Sequence, residues 1–442
     1  MTTAPPALTP PALTNWAGNV TFRPERVHRP TSLPQLQAVV AGSTRLRVLG
    51  TGHSFNRIAD TTGDLVLMHD MPPTIEIDTQ AAQVRVAGAV RYGELTRALH
   101  EAGFALPNLG SLPHISVAGA CAAGTHGSGV GNGCLATSVA AVELVTAGGE
   151  PVSFRRGDAS FGGAVVALGA LGVVTHLTLD LLPSFDISQV VYEGLTRDTL
   201  HTHLDEVLTS AYSVSVFTDH RAGGTSRVWQ KHRVDGQGDE PEYQPDGPEH
   251  HPDEPPAATW LDATLADGPR HPVPGADPRP CTEQGGVIGP WHTRLPHFRP
   301  DFTPSSGDEL QSEYLVPLER AAEALTAIEE LSEVLAPLLR VSELRTVAAD
   351  ELWMSPAYGR DSLALHFTWL PDTPRVLAVL PRVEQNLADL GARPHWGKVF
   401  TTDPDVLLGL YPSLADFQSL LLEHDPAGMF RNEMVDTYVL PR

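Results

Sequence analysis

The sequence is poor in positive charge, in cysteine and in long apolar runs. Its 30 Lys and Arg residues stand against 53 Asp and Glu residues, which gives a formal net charge of −23. Because phosphate groups bind to concentrated positive charge, this balance argues against nucleic acid or a membrane surface as a partner. Three cysteines without metal-ligand spacing predict no metal site and suit a reducing cytoplasm, where we expect the protein. No run of about 18 apolar residues occurs, so no membrane span is predicted.

The 442 residues exceed what one hydrophobic core organises, so several structural units are expected. Residues 1–14 lack the basic start and apolar core of a signal peptide and predict a disordered tail. Residues 15–185 alternate short strands and helices with many glycines, which predicts a cofactor-binding domain. A substrate-binding domain is predicted over 186–394, with an acidic, proline-rich exposed loop at 235–256. The remainder, 395–442, is expected to return to the first domain.

Local patterns predict the main helices and strands. Helices are expected over 33–41 and 92–101, and strands over 45–49, 142–146 and 173–182. One long amphipathic helix is predicted by apolar residues at helical spacing, which are Leu318, Ala322, Leu325, Ile328, Leu331, Leu335 and Leu338. A second apolar helical pattern runs over 376–390. Strands between these last two helices predict a sheet with helices against one face.

A histidine is presented on a tight glycine turn after the strand at 45–49. The turn has the sequence Gly50-Thr51-Gly52-His53-Ser54-Phe55-Asn56. Two glycines let the backbone approach a flat ligand closely, and the imidazole offers a nucleophilic nitrogen. An incidental histidine in a strand-end turn is the alternative that this segment alone leaves open.

Glycine-rich segments recur at 108–119, 124–129 and 169–175. A further one, 131–136, fits a relaxed dinucleotide fingerprint. It follows another glycine-rich loop instead of a strand, and no acidic residue follows at the required place. We therefore predict no Rossmann fold, although backbone N–H groups of such loops can bind a pyrophosphate.

Two predicted strands carry polar side chains on one face. Because side chains alternate along a strand, residues 342–347 place Glu343 and Arg345 on the same side. Residues 363–369 place His366 and Thr368 opposite a row of apolar side chains. The pattern indicates a polar sheet face, for which an ordinary solvent-facing surface is the alternative.

Lysine is rare, and its positions are informative. Lys231 and Lys398 are the only lysines among the 30 basic residues. A lysine kept where arginine is favoured indicates a need for a compact point charge. Lys231, with no chemistry evident near it, weakens this argument for Lys398.

These segments, with His-Trp-Gly-Lys at 395–398, resemble the alditol (xylitol) oxidases, which are bacterial members of the vanillyl-alcohol oxidase type of FAD-linked oxidases. The resemblance covers nearly the whole chain except the tail and the acidic insertion. It implies an α+β fold, with a two-part FAD-binding domain of the vanillyl-alcohol oxidase (PCMH) type. The second domain is then a cap with an antiparallel sheet flanked by helices. FAD is the implied cofactor, with His53 as its covalent attachment point.

The resemblance implies a role for each matched position. The implied cofactor-binding residues are Gly50, Thr51, Gly52, His53, Ser54, Phe55, Gly110, Ser111, His114, Ser116, Val117, Gly119, Gly124, Thr125, Gly127, Gly172, Val173, Val174 and His395. The residues implied on the substrate side of the flavin are Ser111, Glu343, Arg345, His366, Thr368 and Lys398.

Among these, the candidate catalytic residues are His366, Arg345, Lys398 and Glu343. His366 is the candidate base because its pKa lies near working pH, with Lys398 as the alternative. Arg345 and Lys398 are suited to stabilise a developing alkoxide and negative charge on reduced flavin. Glu343 is suited to accept hydrogen bonds from polyol hydroxyls. Gly110, without a Cβ, is expected to leave room for oxygen.

The main functional hypothesis is an FAD-dependent oxidase of sugar alcohols such as xylitol or sorbitol. It converts the terminal primary alcohol to an aldehyde and reduces O2 to hydrogen peroxide. The first alternative is a sugar-1,4-lactone oxidase of the same superfamily, whose members carry a comparable His-Trp-x-Lys motif. A flavin-binding protein without turnover is the second. The expected partners are a small polyol and O2, and the expected state is a monomer.

Overall fold

The computed structural model describes residues 13–221, 223–234, 255–302, 307 and 309–440. Most of the predicted tail, 1–12, and of the predicted acidic loop, 235–254, lies outside these residues. Among the described residues, no helix is long and apolar enough to cross a membrane.

The described residues form twelve α-helices and twenty strands, numbered here in chain order. The helices are α1 (Leu33–Ala41), α2 (Tyr92–Glu101), α3 (Val117–Ala122), α4 (Phe161–Val165), α5 (Arg197–Thr202), α6 (Leu204–Leu208), α7 (Ala321–Glu329), α8 (Ser332–Leu335), α9 (Thr373–Leu387), α10 (Pro404–Gly409), α11 (Leu414–His424) and α12 (Glu433–Tyr438). The strands are β1 (Arg26–His28), β2 (Leu46–Leu49), β3 (Asp64–Leu67), β4 (Ile75–Asp78), β5 (Gln83–Ala87), β6 (Phe104–Ala105), β7 (Val139–Val145), β8 (Pro151–Arg155), β9 (Val173–Asp180), β10 (Leu182–Pro183), β11 (Asp186–Thr196), β12 (Ser213–Thr218), β13 (Thr225–Val234), β14 (Thr259–Trp260), β15 (Ala263–Leu265), β16 (Gly289–Pro290), β17 (Leu310–Pro317), β18 (Leu339–Val347), β19 (Ser362–Trp369) and β20 (Arg393–Pro394).

A small parallel sheet, ordered β1-β3-β2, carries the histidine turn at the end of its strand β2. Leu36 and Val40 of α1 are fully buried against Leu46 and Val66 of this sheet. Burial of these four side chains fixes the end of β2, and the turn at 50–53 follows directly from it. The predicted helix at 33–41 and strand at 45–49 are therefore found, the strand starting one residue later.

An antiparallel sheet, ordered β4-β5-β9-β7-β8, follows. Helix α2 spans the predicted residues and buries Leu95 and Leu99 against Val84 and Val86 of the sheet. The predicted strand at 142–146 falls in β7, which begins three residues earlier and ends one residue earlier, at Val145. The strand predicted over 173–182 ends at Asp180, and its last residues pair with β6 instead.

The largest sheet in the described part of the chain is antiparallel and has the order β14-β15-β11-β13-β12-β18-β19-β17-β20, with β16 paired to β11. Helices α7 and α9 lie against one face, where their apolar side chains pack on Leu344, Leu365 and Phe367. In this register Glu343 and His366 are direct neighbours, and they lie on the opposite face.

The prediction of one long helix from Leu318 to Leu338 is wrong. The chain forms a 3₁₀ turn at Leu318–Arg320, then α7, and after a break the short α8. At the break the N–H of Leu331 bonds to the carbonyl of Ile328, three residues back, which tightens the helix. Leu331 and Leu335 remain buried, so apolar spacing alone does not reveal the break. The predicted helix at 376–390 is α9, extended by a 3₁₀ turn.

The residues after 394 pack on the first two sheets. Trp396, Phe417 and Val435 are buried in the same core as α2 and β9, and Phe430 packs with α1. The domain boundaries expected at 185 and 394 remain predictions, since hydrophobic packing alone does not define a domain limit.

A buried guanidinium joins three separate parts of the chain. Arg47 on β2 donates to the carbonyl oxygens of Leu168 (2.7 Å), Gly169 (2.8 Å) and Phe430 (2.8 Å), and also to that of Ile58. Burial lowers the pKa of Arg47 to about 10. Because carbonyl oxygens without a donor are costly to bury, the side chain stabilises the junction of these segments.

Replacing Arg47 by Ala is expected to destabilise the protein strongly, because four buried carbonyl oxygens lose their donor. The expected loss in the free energy of unfolding is about 3 kcal/mol or more. Arg45→Ala is the matched control, since Arg45 lies on the approach to the same strand but is exposed. Urea denaturation of both variants measures the difference. Equal stability of the two variants would contradict the assigned role.

Candidate active site

A cavity of about 450 Å³ lies between the histidine turn and the polar face of the large sheet. Its wall is built from the turn at 50–56, the glycine-rich segments around 110 and 125, the strands β17 to β19, and residues 395–398. The cavity therefore brings together segments that the sequence analysis had singled out separately.

The His53 side chain is held in place by two neighbours. Its Nδ1 lies 3.0 Å from Oγ1 of Thr51, and its ring stacks on Trp16 with centroids 5.6 Å apart and planes 20° apart. Gly52 takes φ 70°, a left-handed conformation that glycine adopts without strain. Burial, then the charges of His114 and Lys398, lower the pKa of His53 to about 4. The imidazole is therefore neutral near pH 7, with a lone pair available.

Gly50 allows the turn to approach Ser116 at the start of α3, and Gly119, inside α3, leaves room for the same side chain. A Cβ added at Gly50 would lie 2.6 Å from Oγ of Ser116, and one added at Gly119 would lie 2.8 Å from it. Thr51 also accepts a hydrogen bond from the N–H of Ser116 at 3.3 Å. Close packing of these loops is thus the physical reason for both glycines.

The predicted polar face is buried and lines the cavity. Glu343, Arg345, His366 and Thr368 are each less than a tenth exposed. Oγ1 of Thr368 lies 3.4 Å from Nε2 of His366, and Nε of Arg345 lies 3.6 Å from Oε1 of Glu343. Ser111, on the opposite wall, is 3.5 Å from Nη1 of Arg345. The solvent-facing alternative for this surface is therefore wrong.

Buried charged groups on this wall shift one another's pKa values. Burial alone would raise the pKa of Glu343, but Arg345, His297 and His366 hold it below its ordinary value. Burial lowers the pKa of Lys398 to about 8, against an opposing effect of nearby carboxylates. Nζ of Lys398 donates to Gln311 and lies 5.1 Å above the ring of Phe55. The wall therefore presents carboxylates and cations side by side.

Known protein families match most of the chain, including the segments that build the cavity wall. Residues 24–155 match an FAD-binding domain, and residues 308–438 match the D-arabinono-1,4-lactone oxidase family. The alditol oxidase of Streptomyces sp. (strain IKD472 / FERM P-14339) is 51% identical over 95% of this chain and 97% of its own length. The chain belongs to the alditol oxidase family of FAD-linked oxidases.

More distant relatives cover the chain equally well. L-gulono-1,4-lactone dehydrogenase of Mycobacterium tuberculosis is 29% identical over 96% of this chain and 98% of its own length. Among solved structures, cholesterol oxidase from B. sterolicum has a TM-score of 0.72 at 15% identity, with 99% of both chains covered. The expected α+β fold, the FAD cofactor and the oxidase class are thereby confirmed for this alditol oxidase family member.

The cavity wall fits a flavin and a polar substrate. In the described part of the chain, Oε1 of Glu343, Nε of Arg345 and Nε of Arg47 are buried without a hydrogen-bond partner. All three residues line the cavity, where a bound molecule can satisfy them. Near Arg47 the wall is apolar, and at the other end it is the polar sheet face. This gradient suits a long cofactor with a polar substrate at one end.

Most of the implied cofactor residues lie on this wall, and seven do not. On the wall are Gly50, Thr51, Gly52, His53, Ser54, Phe55, Gly110, Ser111, Ser116, Gly119, Thr125 and His395. Off the wall are His114, Val117, Gly124, Gly127, Gly172, Val173 and Val174. Two of the latter have a packing reason: a Cβ at Gly127 would lie 2.2 Å from Asn108, and one at Gly172 would lie 2.6 Å from Val145. Their flavin contacts remain predictions.

Several residues of the wall were not predicted from the sequence, notably Glu313, His126 and His297. Glu313 lies two residues after Gln311 on β17, and this alternation is a signal of the kind used for β18. The other two lie on irregular segments that carry no such pattern. Lys231 also proves to be close to the chemistry, because it is buried near Glu343 and burial lowers its pKa to about 7.

One trio has a spacing that suits a metal ion: ligand atoms of His126, Glu313 and His395 lie within 4.8 Å of one another. Nη2 of Arg345, however, lies 2.6 Å from Oε1 of Glu313. A cation bound there would face this guanidinium at close range, which is unfavourable. We therefore interpret the trio as part of the buried charge cluster around Glu313 and Arg345, not as a metal site.

Acid is expected to destabilise the folded protein, because buried imidazoles resist protonation. Burial lowers the pKa of His297 to about 3 and that of His220, outside the cavity, to about 3 as well. Below about pH 6.5 these two histidines bind protons in the unfolded chain, whereas they stay unprotonated in the folded protein. Each such histidine therefore costs up to about 2 kcal/mol as the pH falls to about 5.

Urea denaturation at several pH values measures this loss. His220→Asn is a suitable variant because His220 has φ 59°, which Asn tolerates, and because it lies outside the cavity wall. Its free energy of unfolding should fall less steeply with acid than that of the parent. An identical slope in the two proteins would rule out His220 as a contributor.

Proposed function

We propose that this protein oxidises the terminal primary alcohol of an open-chain polyol, such as xylitol or sorbitol, to an aldehyde. O2 is the electron acceptor and becomes hydrogen peroxide. The observation that supports this most is the buried wall of Ser111, Glu343, Arg345, His366 and Thr368 beside the histidine turn. A polyol offers hydroxyls along its length, and this wall offers both donors and acceptors for them.

Each side chain of the wall has a role that follows from its chemistry. Burial lowers the pKa of His366, so its imidazole is neutral near pH 7 and can accept the proton of the reacting hydroxyl. Arg345 and Lys398 carry the positive charge that stabilises the resulting alkoxide. Glu343 and Thr368 bind hydroxyls and so orient the chain. FAD, when bound, supplies the acceptor for the hydride from carbon 1.

Gly110 supports the use of oxygen. Its φ is outside the left-handed region, and a Cβ built on it would lie 3.6 Å from Ile115 and 3.7 Å from Thr125, both ordinary contact distances. Packing of the protein therefore does not require glycine here. An open space kept for a small molecule explains the residue better than a turn requirement does.

We further propose a monomeric protein in a reducing cytoplasm. The three cysteines support the compartment, because Cys121, Cys134 and Cys281 are buried and form no disulfide.

Anaerobic xylitol is expected to bleach the yellow protein, and air is expected to restore the colour with release of hydrogen peroxide. The test is a stopped-flow absorbance record with xylitol, compared with L-gulono-1,4-lactone as the rival substrate. Turnover of the lactone without turnover of any polyol would favour the lactone oxidase alternative. Persistence of the colour with both would favour a flavin-binding protein without turnover.

His53 is proposed to carry FAD covalently, because it is neutral, oriented by Thr51 and exposed to the cavity. Acid precipitation of the parent should leave a yellow pellet, whereas His53→Ala should give a colourless pellet and a yellow supernatant. His100→Ala is the control, since His100 lies outside the cavity wall. A colourless pellet from the parent would show non-covalent binding.

A further inference from the structure

One buried carboxylate has no part in the roles described so far. Glu313 lies at the centre of β17, where its register partner on β19 is His366. His366 is in turn paired with Glu343 on β18. The three side chains therefore form a row across three strands, with the imidazole between two carboxylates. Only 1% of the Glu313 side chain is exposed, compared with 8% for Glu343.

Three side-chain nitrogens face the carboxylate of Glu313, and that of Arg345 donates a hydrogen bond to it. Nη2 of Arg345 lies 2.6 Å from its Oε1, Nε2 of His126 lies 3.3 Å from the same oxygen, and Nδ1 of His366 lies 3.3 Å from Oε2. Burial alone would raise the pKa of Glu313, but these three neighbours hold it well below its ordinary range. The carboxylate is thus ionised, and it can only accept hydrogen bonds.

We propose that Glu313 is a positioning residue that fixes His366 as the Nδ1–H tautomer, so that Nε2 is the nitrogen that takes the substrate proton. Because an ionised carboxylate has no hydrogen to give, its contact with Nδ1 is favourable only when Nδ1 carries one. The lone pair then lies on Nε2, on the side of Thr368. At 3.3 Å the two atoms are in ion-pair contact, and Nδ1 of His366 is buried without a formed hydrogen bond to any described residue, so Glu313 is the acceptor within its reach. Catalytic hydrogen bonds are often long or poorly aligned before substrate binds.

The proton balance of this step is simple. The O–H bond of the reacting hydroxyl breaks, its proton moves to Nε2 of His366, and its electron pair remains on the oxygen beside Arg345 and Lys398. Glu313 keeps its charge throughout and stabilises the imidazolium that forms. This role rests on the proposed polyol oxidation, but the tautomer itself can be measured without any substrate.

The direct test is the tautomer of His366 in the holoenzyme labelled with ¹⁵N-histidine. Long-range ¹H–¹⁵N spectra distinguish the two ring nitrogens, and His366→Asn identifies the signals by their loss. The parent is expected to show hydrogen on Nδ1. In Glu313→Gln the amide can donate to Nδ1, so the hydrogen should move to Nε2. An Nε2–H tautomer in the parent would overturn the proposal.

Kinetics give a second, independent readout. Flavin reduction by xylitol is expected to slow about 100-fold in Glu313→Gln, with little change in the affinity for xylitol. The inflection of its pH profile should move to lower pH, because Glu313 raises the pKa of His366 against the effect of burial. The other ionisable groups around Glu313 and His366 that bear on this profile are Glu343, Arg345, His126, His297, His395 and Lys398.

The chain offers a matched control in Glu329. This carboxylate is also buried, with Nε2 of His201 2.9 Å away and Nη2 of Arg197 2.5 Å away, but it lies outside the cavity wall. Glu329→Gln should leave the rate and the pH profile unchanged. A similar loss in both variants would indicate general destabilisation and would contradict a positioning role.

A conservative variant covers the case in which Glu313→Gln fails to fold. Glu313→Asp keeps an acceptor-only group and should retain the Nδ1–H tautomer with an intermediate rate. If the parent is not reduced by xylitol, the proposed function fails, while the parent spectrum still decides the role of Glu313. If the parent is reduced and a yellow Glu313→Gln protein matches it, the positioning role is wrong.

Discussion

The structure depends on the mutual neutralisation of charges buried on one face of the large sheet. A lone buried carboxylate or guanidinium is costly, and the cost falls only when partners of opposite charge and hydrogen bonds are present. Arg345 meets this condition by facing both Glu313 and Glu343. These pairings keep each group charged inside the protein, where its effect on a substrate is stronger than in water.

The placement of this wall follows from the packing of the opposite face. Leu344, Leu365 and Phe367 are fully buried against the helices, which fixes the strand register. Side chains alternate with a period of two, so a slip of one residue would exchange the two faces. The register that buries the apolar row is therefore also the one that sets Glu343 beside His366. In this sheet a single strand register therefore determines both the core packing and the arrangement of the active site.

Features set by residues close together in the sequence were predictable, whereas features set by contacts between distant residues were not. The histidine turn and the polar face of β18 and β19 were found because glycine spacing and strand alternation are local signals. The network of Glu313 and His126 was missed, since its members are distant in sequence and meet only through the order of strands and loops. The break between α7 and α8 was missed for a related reason: apolar spacing is the same on either side of a tightened turn.

The charge balance of the wall narrows the kind of substrate. Four carboxylates and four cations line the cavity: the acidic residues are Asp277, Glu309, Glu313 and Glu343, and the basic residues are Arg47, Arg340, Arg345 and Lys398. The sum is close to zero, so neither an anionic sugar acid nor a cationic amino sugar would find net electrostatic attraction there. A neutral polyol exchanges its hydration for hydrogen bonds to these groups without adding a charge that the site must compensate. In the proposed reaction the same wall stabilises charge that arises only during turnover, because Arg345 and Lys398 line the cavity together with the candidate base His366. The balance thus favours discrimination against ionised sugars.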